Sequence, residues 1–264
     1  MELSFSKYHG TGNDFILIDD REGNLSLSSD IITSLCHRQY GIGADGIILL
    51  TPSEEGDFGM QIFNRDGSEA EMCGNGLRCL VQFLRDLGEG GDSFQIETMK
   101  KIYPCMIEKG KIFVSMGIPK IVEEKESHFL LEVGVPHFVT FVDDLASFEK
   151  GAKKHFSSLG VNINYAKFDP CGVIYMRTFE RGVEEETFSC GSGATAVCMA
   201  AWKRFGLAGP VDIHFHSGQQ LQFKLITKDG VLQDLIMSGG VTHVFNGTMV
   251  CVSDGQPFQT PAQC

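Results

Sequence analysis

The chain has 264 residues, of which 42% are hydrophobic and 21% are charged, and its formal net charge is −12. The acidic balance, with no basic stripe, argues against nucleic acid as a partner. No apolar run reaches the roughly 18 residues of a membrane span. The composition is that of a folded globular protein, and because Met1–Tyr8 lacks the organisation of a signal peptide, we expect a cytoplasmic location.

The first half of the chain reads as short strands interrupted by two helices. A capped apolar pattern predicts the first helix, and apolar residues at helical spacing predict the second. The predicted helices are 29–36 and 77–87, and the predicted strands are 3–8, 15–18, 47–50, 60–63, 94–98, 102–108 and 111–116. Residues 117–126, which include Pro119, are predicted to link the two halves.

The second half repeats this plan. Helices are predicted at 146–156 and directly after Cys190, and strands at 129–133, 138–142, 163–168, 173–179, 211–216, 221–226, 232–237, 242–245 and 249–252. We therefore expect an N-terminal domain over residues 1–117 and a C-terminal domain over 118–252. The polar tail, about 253–264, is expected to pack across the first half.

A cysteine followed by a glycine-rich turn and an apolar helix occurs twice, at Cys73–Gly76 (CGNG) and Cys190–Gly193 (CGSG). The first turn of a helix has backbone N–H groups without intrahelical partners, and the helix dipole favours negative charge there. Such a position lowers the pKa of a thiol and can also hold a carboxylate. The recurrence near the midpoint of the chain indicates two related halves, each carrying one cysteine.

The chain contains nine cysteines. An odd number without a secretory signal indicates reduced thiols. Neither Cys-x-x-Cys nor His-x-x-x-His occurs, so no metal site is predicted. Cys79 and Cys198 fall within the two central helices, where we expect them to be inert small hydrophobes.

The paired cysteines suit inversion of a carbon that carries a carboxylate. If the two halves close over one cleft, the carboxylate would accept hydrogen bonds from the backbone N–H groups of Gly74, Asn75, Gly191 and Ser192, with the Ser192 hydroxyl as a further donor. One thiolate would remove the α-proton, and the other thiol would return a proton to the opposite face. A thiol is suited to both tasks because its ordinary pKa, about 8.5, shifts towards neutrality at a helix N-terminus.

The sequence around these cysteines resembles the diaminopimelate epimerase family from Phe5 to about Asn246. The matching motifs are His9–Phe15 (HGTGNDF), Gly41–Asp45 (GIGAD), Ile62–Glu69 (IFNRDGSE), Cys73–Cys79 (CGNGLRC), Pro136-His137, Glu180–Gly182 and Glu186–Ala194. The resemblance implies an α+β fold of two pseudo-symmetric domains, each a barrel-like, mostly antiparallel or mixed sheet around a central helix. It also implies catalysis without a metal, pyridoxal phosphate or any other cofactor.

Roles follow from position in these motifs. The resemblance implies that Cys73 and Cys190 are the catalytic bases, and that His137 and Glu180 lie beside the reaction centre. The implied substrate-binding residues are Asn13, Asn64, Asn162 and Arg181, with the Arg181 guanidinium suited to the distal carboxylate of diaminopimelate. The implied activity converts LL- into meso-diaminopimelate in lysine and peptidoglycan synthesis, and the implied partner is a small amino acid, with a homodimer as candidate assembly.

Two departures from the family pattern concern substrate choice. This chain has Gly46 where the family usually has Gln, and Val135 where it usually has Asn. Both changes remove side-chain hydrogen bonds near the substrate, and a site with fewer polar contacts discriminates less between substrates. We therefore hypothesise relaxed specificity that extends to glutamate.

Alternatives to this function stay open at this point. A related isomerase of the phenazine-biosynthesis or proline-racemase type would share the scaffold, although both cysteine motifs disfavour it. A binding protein that captures a small carboxylate without chemistry is the alternative from another class. For single residues, His137 could be a hydrogen-bonded loop histidine, and Glu180 with Arg181 could be a solvated pair of little energetic consequence.

Overall fold

The computed structural model describes residues 2–146, 148–169, 172–181 and 185–250. The chain divides into two compact units. The first unit comprises the chain up to Glu108 together with the strand Val241–Val250, and the second unit is Lys109–Gly240. None of the helices in these described ranges has the length and apolarity of a membrane-spanning segment.

The elements of the first unit alternate between strands and two helices. They are β1 (Glu2–Gly10), β2 (Asn13–Asp19), α1 (Ser29–Cys36), β3 (Gly46–Thr51), β4 (Phe58–Asn64), β5 (Glu69–Ala70), α2 (Gly74–Asp86), β6 (Ser93–Glu97) and β7 (Ile102–Glu108).

The second unit follows with nine strands and two helices in its described residues, after which the last strand returns to the first unit. The elements are β8 (Lys111–Ser115), β9 (Lys120–Glu124), β10 (Phe129–Val133), β11 (Val135–Phe141), α3 (Phe148–Leu159), β12 (Asn162–Phe168), β13 (Ile174–Phe179), α4 (Gly191–Phe205), β14 (Val211–Phe215), β15 (Gln220–Lys228), β16 (Val231–Gly239) and β17 (Val241–Val250).

The sheet of the first unit wraps around α2. Its strand order is β17-β1-β2-β3-β4-β6-β7, in which β2 with β3 and β4 with β6 are parallel and the other pairs are antiparallel. Helix α2 packs against strands from across this sheet, namely β1, β2, β3, β4, β7 and β17. Leu77, Leu80, Val81 and Leu84 of the helix are fully buried, so burial of its apolar face contributes to the core of this unit.

The second unit repeats the same connections around α4. Its order is β9-β10-β11-β12-β13-β14-β15-β16-β8, and the parallel pairs β11 with β12 and β13 with β14 occupy the places of β2–β3 and β4–β6. In each unit one helix connects the first parallel pair and the cysteine-capped helix connects the second. Small residues such as Ala194, Ala196 and Ala200 let the sheet approach α4 closely. The predicted α+β fold of two pseudo-symmetric domains is confirmed.

Some element boundaries differ from those predicted. Residues 120–124, within the predicted linker, form β9 because they pair with β10. Residues 241–250 form one strand where two were predicted, because β1 pairs along the whole length and the Phe5 ring lies where a side chain at Gly247 would be. The predicted tail, 253–264, and Gly182 of the predicted turn lie outside the described residues.

Candidate active site

Cys73 is the N-cap of α2. Its backbone is extended (φ −140°, ψ 118°), and the backbone N–H of Gly76 donates to Cys73 Sγ at 3.4 Å. A thiolate at this position would accept that N–H and lie at the positive end of the helix dipole. The sulfur also has an acceptor within reach, since the thiol can donate to Asn13 Oδ1 at 3.6 Å. The cysteine is half-buried.

The Asn13 carboxamide is oriented by a carboxylate. Asn13 Nδ2 donates to Asp45 Oδ2 at 2.9 Å, which leaves Asn13 Oδ1 to accept from Asn75 Nδ2 at 3.3 Å and from the Cys73 thiol. Asp45 is in turn bound by Arg38 Nη2 at 2.7 Å. Because the Asp45 carboxylate can only accept a hydrogen bond, the Asn13 amide nitrogen faces Asp45 and the amide oxygen faces the sulfur of Cys73.

The neighbouring residue Asp14 anchors the same loop. Its carboxylate accepts hydrogen bonds from Arg38 Nη1 at 3.0 Å and Nη2 at 2.8 Å, and it lies 2.7 Å from Lys7 Nζ. Burial opposes ionisation of Asp14, but the hydrogen bonds from Arg38 and Lys7 outweigh it and hold its pKa well below the usual range.

The buried guanidinium of Arg78 holds the turn that follows Cys73. Arg78 has no solvent exposure, and it donates to Asn75 Oδ1 at 3.0 Å, to Thr11 Oγ1 at 3.2 Å and to Gly74 O at 3.3 Å. Burial lowers the pKa of Arg78 to about 10. By holding Asn75 Oδ1, Arg78 turns the Asn75 amide nitrogen towards Asn13.

Cys190 caps α4 in the same way. Its backbone is extended (φ −130°, ψ 109°), the N–H of Gly193 donates to Sγ at 3.3 Å, and the Ser192 hydroxyl lies 3.5 Å from the sulfur. Only 5% of Cys190 is exposed. The two thiols therefore have equivalent positions in their own units, each held by an N–H from the third residue after it.

A buried polar cluster lies on the strands beside Cys190. His137 and Asn164, on the parallel strands β11 and β12, are both fully buried, with Asn164 Nδ2 3.2 Å from His137 Nδ1. The Thr178 hydroxyl on β13 donates to Asn164 Oδ1 at 3.1 Å. A side chain at Gly193 would meet Asn164 Oδ1 at less than 3.0 Å, so this cluster lies directly against the Cys190 turn. Burial lowers the pKa of His137 to about 3.

The remaining predicted residues lie where strands end. Asn162 is buried, and its Oδ1 accepts the backbone N–H of Arg181 at 2.8 Å. The backbone N–H of Glu180 donates to Glu185 O at 3.1 Å, and the Arg181 side chain is exposed. The Asn64 side chain is exposed and donates to Ser68 Oγ at 3.0 Å within its own turn.

The glycine at position 46 is required by the backbone around it. Gly46 pairs with Asn64 in the sheet, and a Cβ built on it would clash with the carbonyl oxygen of Phe63. A Gln at this position would therefore need a shift of β4 relative to β3. The carbonyl oxygen of Phe63 therefore occupies part of the space that a side chain at position 46 would need.

Several residues of these networks were not predicted as site residues, among them Asp45, Arg78, Asn164 and Thr178. An arginine within an apolar helix pattern was a visible signal for Arg78, and Asp45 closes the GIGAD motif. Asn164 and Thr178 lie within strands and have no comparable local signal. Glu186, at the start of the motif that ends in the Cys190 turn, accepts hydrogen bonds from Arg177 with both carboxylate oxygens, at 2.8 and 2.6 Å.

The other cysteines behave as structural residues. All six cysteines among the described residues are free thiols. Cys79 and Cys198 are fully buried, and burial raises the pKa of each far above its usual range. Among the described residues, no group of three or more His, Cys, Asp or Glu side chains is arranged to hold a metal ion.

Comparison with known proteins identifies the family. The family profile described as diaminopimelate epimerase matches residues 5–122 and 129–243. A diaminopimelate epimerase of Methanothrix thermoacetophila is 41% identical over 236 residues, which cover 79% of this chain and 84% of the relative. That of Archaeoglobus fulgidus is 35% identical over 285 aligned positions, which cover 94% of this chain and 97% of the relative.

Solved structures of lower identity share the fold. A phenazine biosynthesis protein of the PhzF family from Bacillus anthracis has a TM-score of 0.71 at 16% identity and covers 95% of this chain and 100% of its own. A hydroxyproline epimerase from Agrobacterium vitis has a TM-score of 0.68 at 12% identity and covers 94% of this chain and 92% of its own. From the profile match and the two relatives, the chain belongs to the diaminopimelate epimerase family and is an isomerase.

Proposed function

We propose that this protein interconverts LL- and meso-diaminopimelate by a two-base mechanism in which Cys73 and Cys190 work on opposite faces of one α-carbon. The observation that carries the proposal is the equivalence of the two thiols. Each caps the central helix of its unit, and each accepts a backbone N–H from the third residue after it, Gly76 or Gly193. A reaction that runs in both directions through mirror-image stereocentres needs two such equivalent groups.

The proposed chemistry transfers one proton in each half-step. One cysteine, as thiolate, takes the α-proton and becomes a thiol, leaving the bonding electrons on the α-carbon and its carboxylate. The other cysteine, as thiol, donates its proton to the opposite face and becomes a thiolate. Backbone N–H groups of Gly74 and Asn75, with those of Gly191 and Ser192, stabilise the carboxylate as negative charge develops. In this mechanism one cysteine carries a proton while the other is a thiolate, and the two exchange these states in each turnover.

The surrounding residues have supporting roles in this proposal. In the first unit, Asn13 is a substrate-binding residue whose amide oxygen also accepts from the Cys73 thiol. In the second unit, His137 and Glu180 set the polarity around the reaction centre, and Asn162 binds substrate. Asn64 and Arg181 have exposed side chains, which makes them available to the distal end of the substrate. The Arg181 guanidinium can bind the distal carboxylate with two parallel hydrogen bonds.

Solvent deuterium tests the proposal. Incubation of the enzyme with LL-diaminopimelate in D₂O should produce meso product with deuterium at the inverted α-carbon. Cys73→Ser and Cys190→Ser should each reduce inversion by about 100-fold or more, since each removes one proton-transfer group. Cys79→Ser and Cys198→Ser are matched controls, and both should keep most of the activity. Binding of diaminopimelate without deuterium incorporation would support a carboxylate-binding protein instead.

The substrate range is a separate part of the proposal. The absence of side-chain hydrogen bonds at Gly46 and Val135 supports a site that also accepts glutamate. Deuterium incorporation into glutamate at high enzyme concentration is the expected result, and no incorporation under conditions that turn over diaminopimelate would refute it. A place in lysine and peptidoglycan synthesis, a cytoplasmic location and a homodimer remain predictions that go with this activity.

A further inference from the structure

The imidazole of His137 is buried with one of its two nitrogens bound. His137 has no solvent exposure, and Nδ1 lies 3.2 Å from Asn164 Nδ2. Within the described residues, Nε2 is buried without a hydrogen-bond partner. A buried polar nitrogen without a partner destabilises the folded state, so its retention calls for a functional explanation.

The neighbouring carboxamide can be oriented in only one way. Asn164 Nδ2 lies 3.0 Å from the carbonyl oxygen of Phe138, which can only accept a hydrogen bond. Asn164 Oδ1 lies 3.1 Å from the Thr178 hydroxyl, which can donate to it. Turning the carboxamide over would place its oxygen against the carbonyl oxygen of Phe138, two acceptors facing each other. Asn164 therefore presents an N–H, and not an oxygen, to His137.

The tautomer of the histidine follows from that orientation. Because Asn164 donates one N–H to Phe138 and the other to His137 Nδ1, Nδ1 must be the unprotonated nitrogen. A neutral imidazole then carries its proton on Nε2. Burial keeps the ring neutral, since it lowers the pKa of His137 to about 3. The nitrogen without a partner is therefore an N–H donor.

We infer that Asn164 is a positioning residue that holds His137 in the Nε2–H tautomer, so that His137 serves the site as a neutral hydrogen-bond donor to an anion and not as a proton acceptor. The tautomer itself depends only on the contacts within this unit. The use of the donor during epimerisation rests on the proposed function. The anion is either the carboxylate of the substrate or a thiolate, which share the same acceptor chemistry.

Nitrogen NMR of the histidine rings tests the tautomer without reference to activity. In ¹⁵N-histidine-labelled enzyme, His137 should show a protonated Nε2 and an unprotonated Nδ1, with its signals assigned by their loss in His137→Gln. Asn164→Asp replaces the N–H donor by an acceptor and should move the proton to Nδ1. Thr178→Val, the matched control, keeps both N–H groups of Asn164 and should leave the tautomer unchanged. A proton on Nδ1 in the wild type, or an unchanged tautomer in Asn164→Asp, would overturn the inference.

Two substitutions of the histidine then test the donor role. Gln can place an amide N–H near the position of Nε2, whereas Asn can replace only Nδ1. His137→Gln should retain about tenfold more α-deuterium exchange with diaminopimelate than His137→Asn, as expected for one hydrogen bond to an anion. Equal loss in the two variants would refute the donor role. A wild-type enzyme without any exchange would contradict the proposed function, while the NMR result would still decide the tautomer.

The same labelled enzyme identifies the acceptor. A change of the Nε2 resonance on saturation with diaminopimelate would assign the substrate carboxylate. A change in Cys73→Ser or Cys190→Ser without substrate would assign a thiolate. Either change supports the donor role, and an Nε2 resonance that responds to neither would contradict it.

Discussion

Gly193 and Gly76 occupy the same position in the two cysteine turns, yet we expect them to respond differently to substitution by Ala. At Gly193 the new Cβ would approach Asn164 Oδ1 to less than 3.0 Å and Cys190 Sγ to 3.2 Å. At Gly76 it would approach Ile48 Cδ1 at 2.9 Å. A terminal methyl group can move by a rotamer change, whereas the Asn164 carboxamide is held by buried hydrogen bonds.

The size of the difference follows from those bonds. Restoring ordinary contact requires Asn164 Oδ1 to move by about 1 Å, which breaks its 3.1 Å hydrogen bond from Thr178. Loss of a buried hydrogen bond costs about 1–3 kcal/mol, and Ala recovers up to about 1 kcal/mol of helix propensity over Gly. Gly193→Ala should therefore destabilise the protein by about 1–2 kcal/mol, and Gly76→Ala should be close to neutral.

Urea unfolding of the two variants, followed by tryptophan fluorescence and by circular dichroism, measures these changes. The double variant Gly193→Ala/Asn164→Ala should be less destabilised than the sum of its single changes, because the smaller side chain removes the clash. Gly193→Ala as stable as the wild type would refute the reasoning, as would strict additivity in the double variant. Equal destabilisation at Gly76 would show that the shared turn, and not Asn164, is responsible.

Three other predictions concern buried charge and thiol reactivity. Asp14→Asn should lower the unfolding free energy by about 3 kcal/mol near pH 7, since it leaves Lys7 buried without its 2.7 Å ion pair. Because the folded-state pKa of Asp14 is lowered, this difference between variant and wild type should persist above about pH 4 and shrink as the pH falls below it. A difference that stays constant in acid titrations would contradict this. Arg78→Met should lower the unfolding free energy by about 2–4 kcal/mol, measured by urea titration, because its buried acceptors lose their donor; an unchanged midpoint would exclude a supporting role. Iodoacetamide at neutral pH should modify half-buried Cys73 well before Cys198, whose raised pKa and full burial keep it protonated, and peptide mass spectrometry giving the reverse order would contradict the assignment.

Local pattern was enough to identify the elements that carry the thiols. Cys73 and Cys190 are each followed directly by glycines and then by apolar residues at helical spacing. This pattern is a local signal for the start of a helix. The repetition of this signal indicated two related halves, and the repeated strand order around α2 and α4 confirms it. Where the pattern was ambiguous, as around Gly247, pairing with β1 decided the outcome.

Local sequence pattern could not identify the residues that surround and orient the thiols, because these residues lie far apart in the chain. Asn13 reaches Cys73 across 60 positions, and the carboxylate that orients it is Asp45 on another loop. His137 and Asn164 are 27 positions apart and meet only because β11 and β12 are parallel neighbours. Sequence by itself determined which residues could do chemistry, since helix caps and glycine turns are local. Only the tertiary structure decided which nitrogen of the His137 ring carries the proton, because the tautomer depends on neighbours brought together by strand pairing.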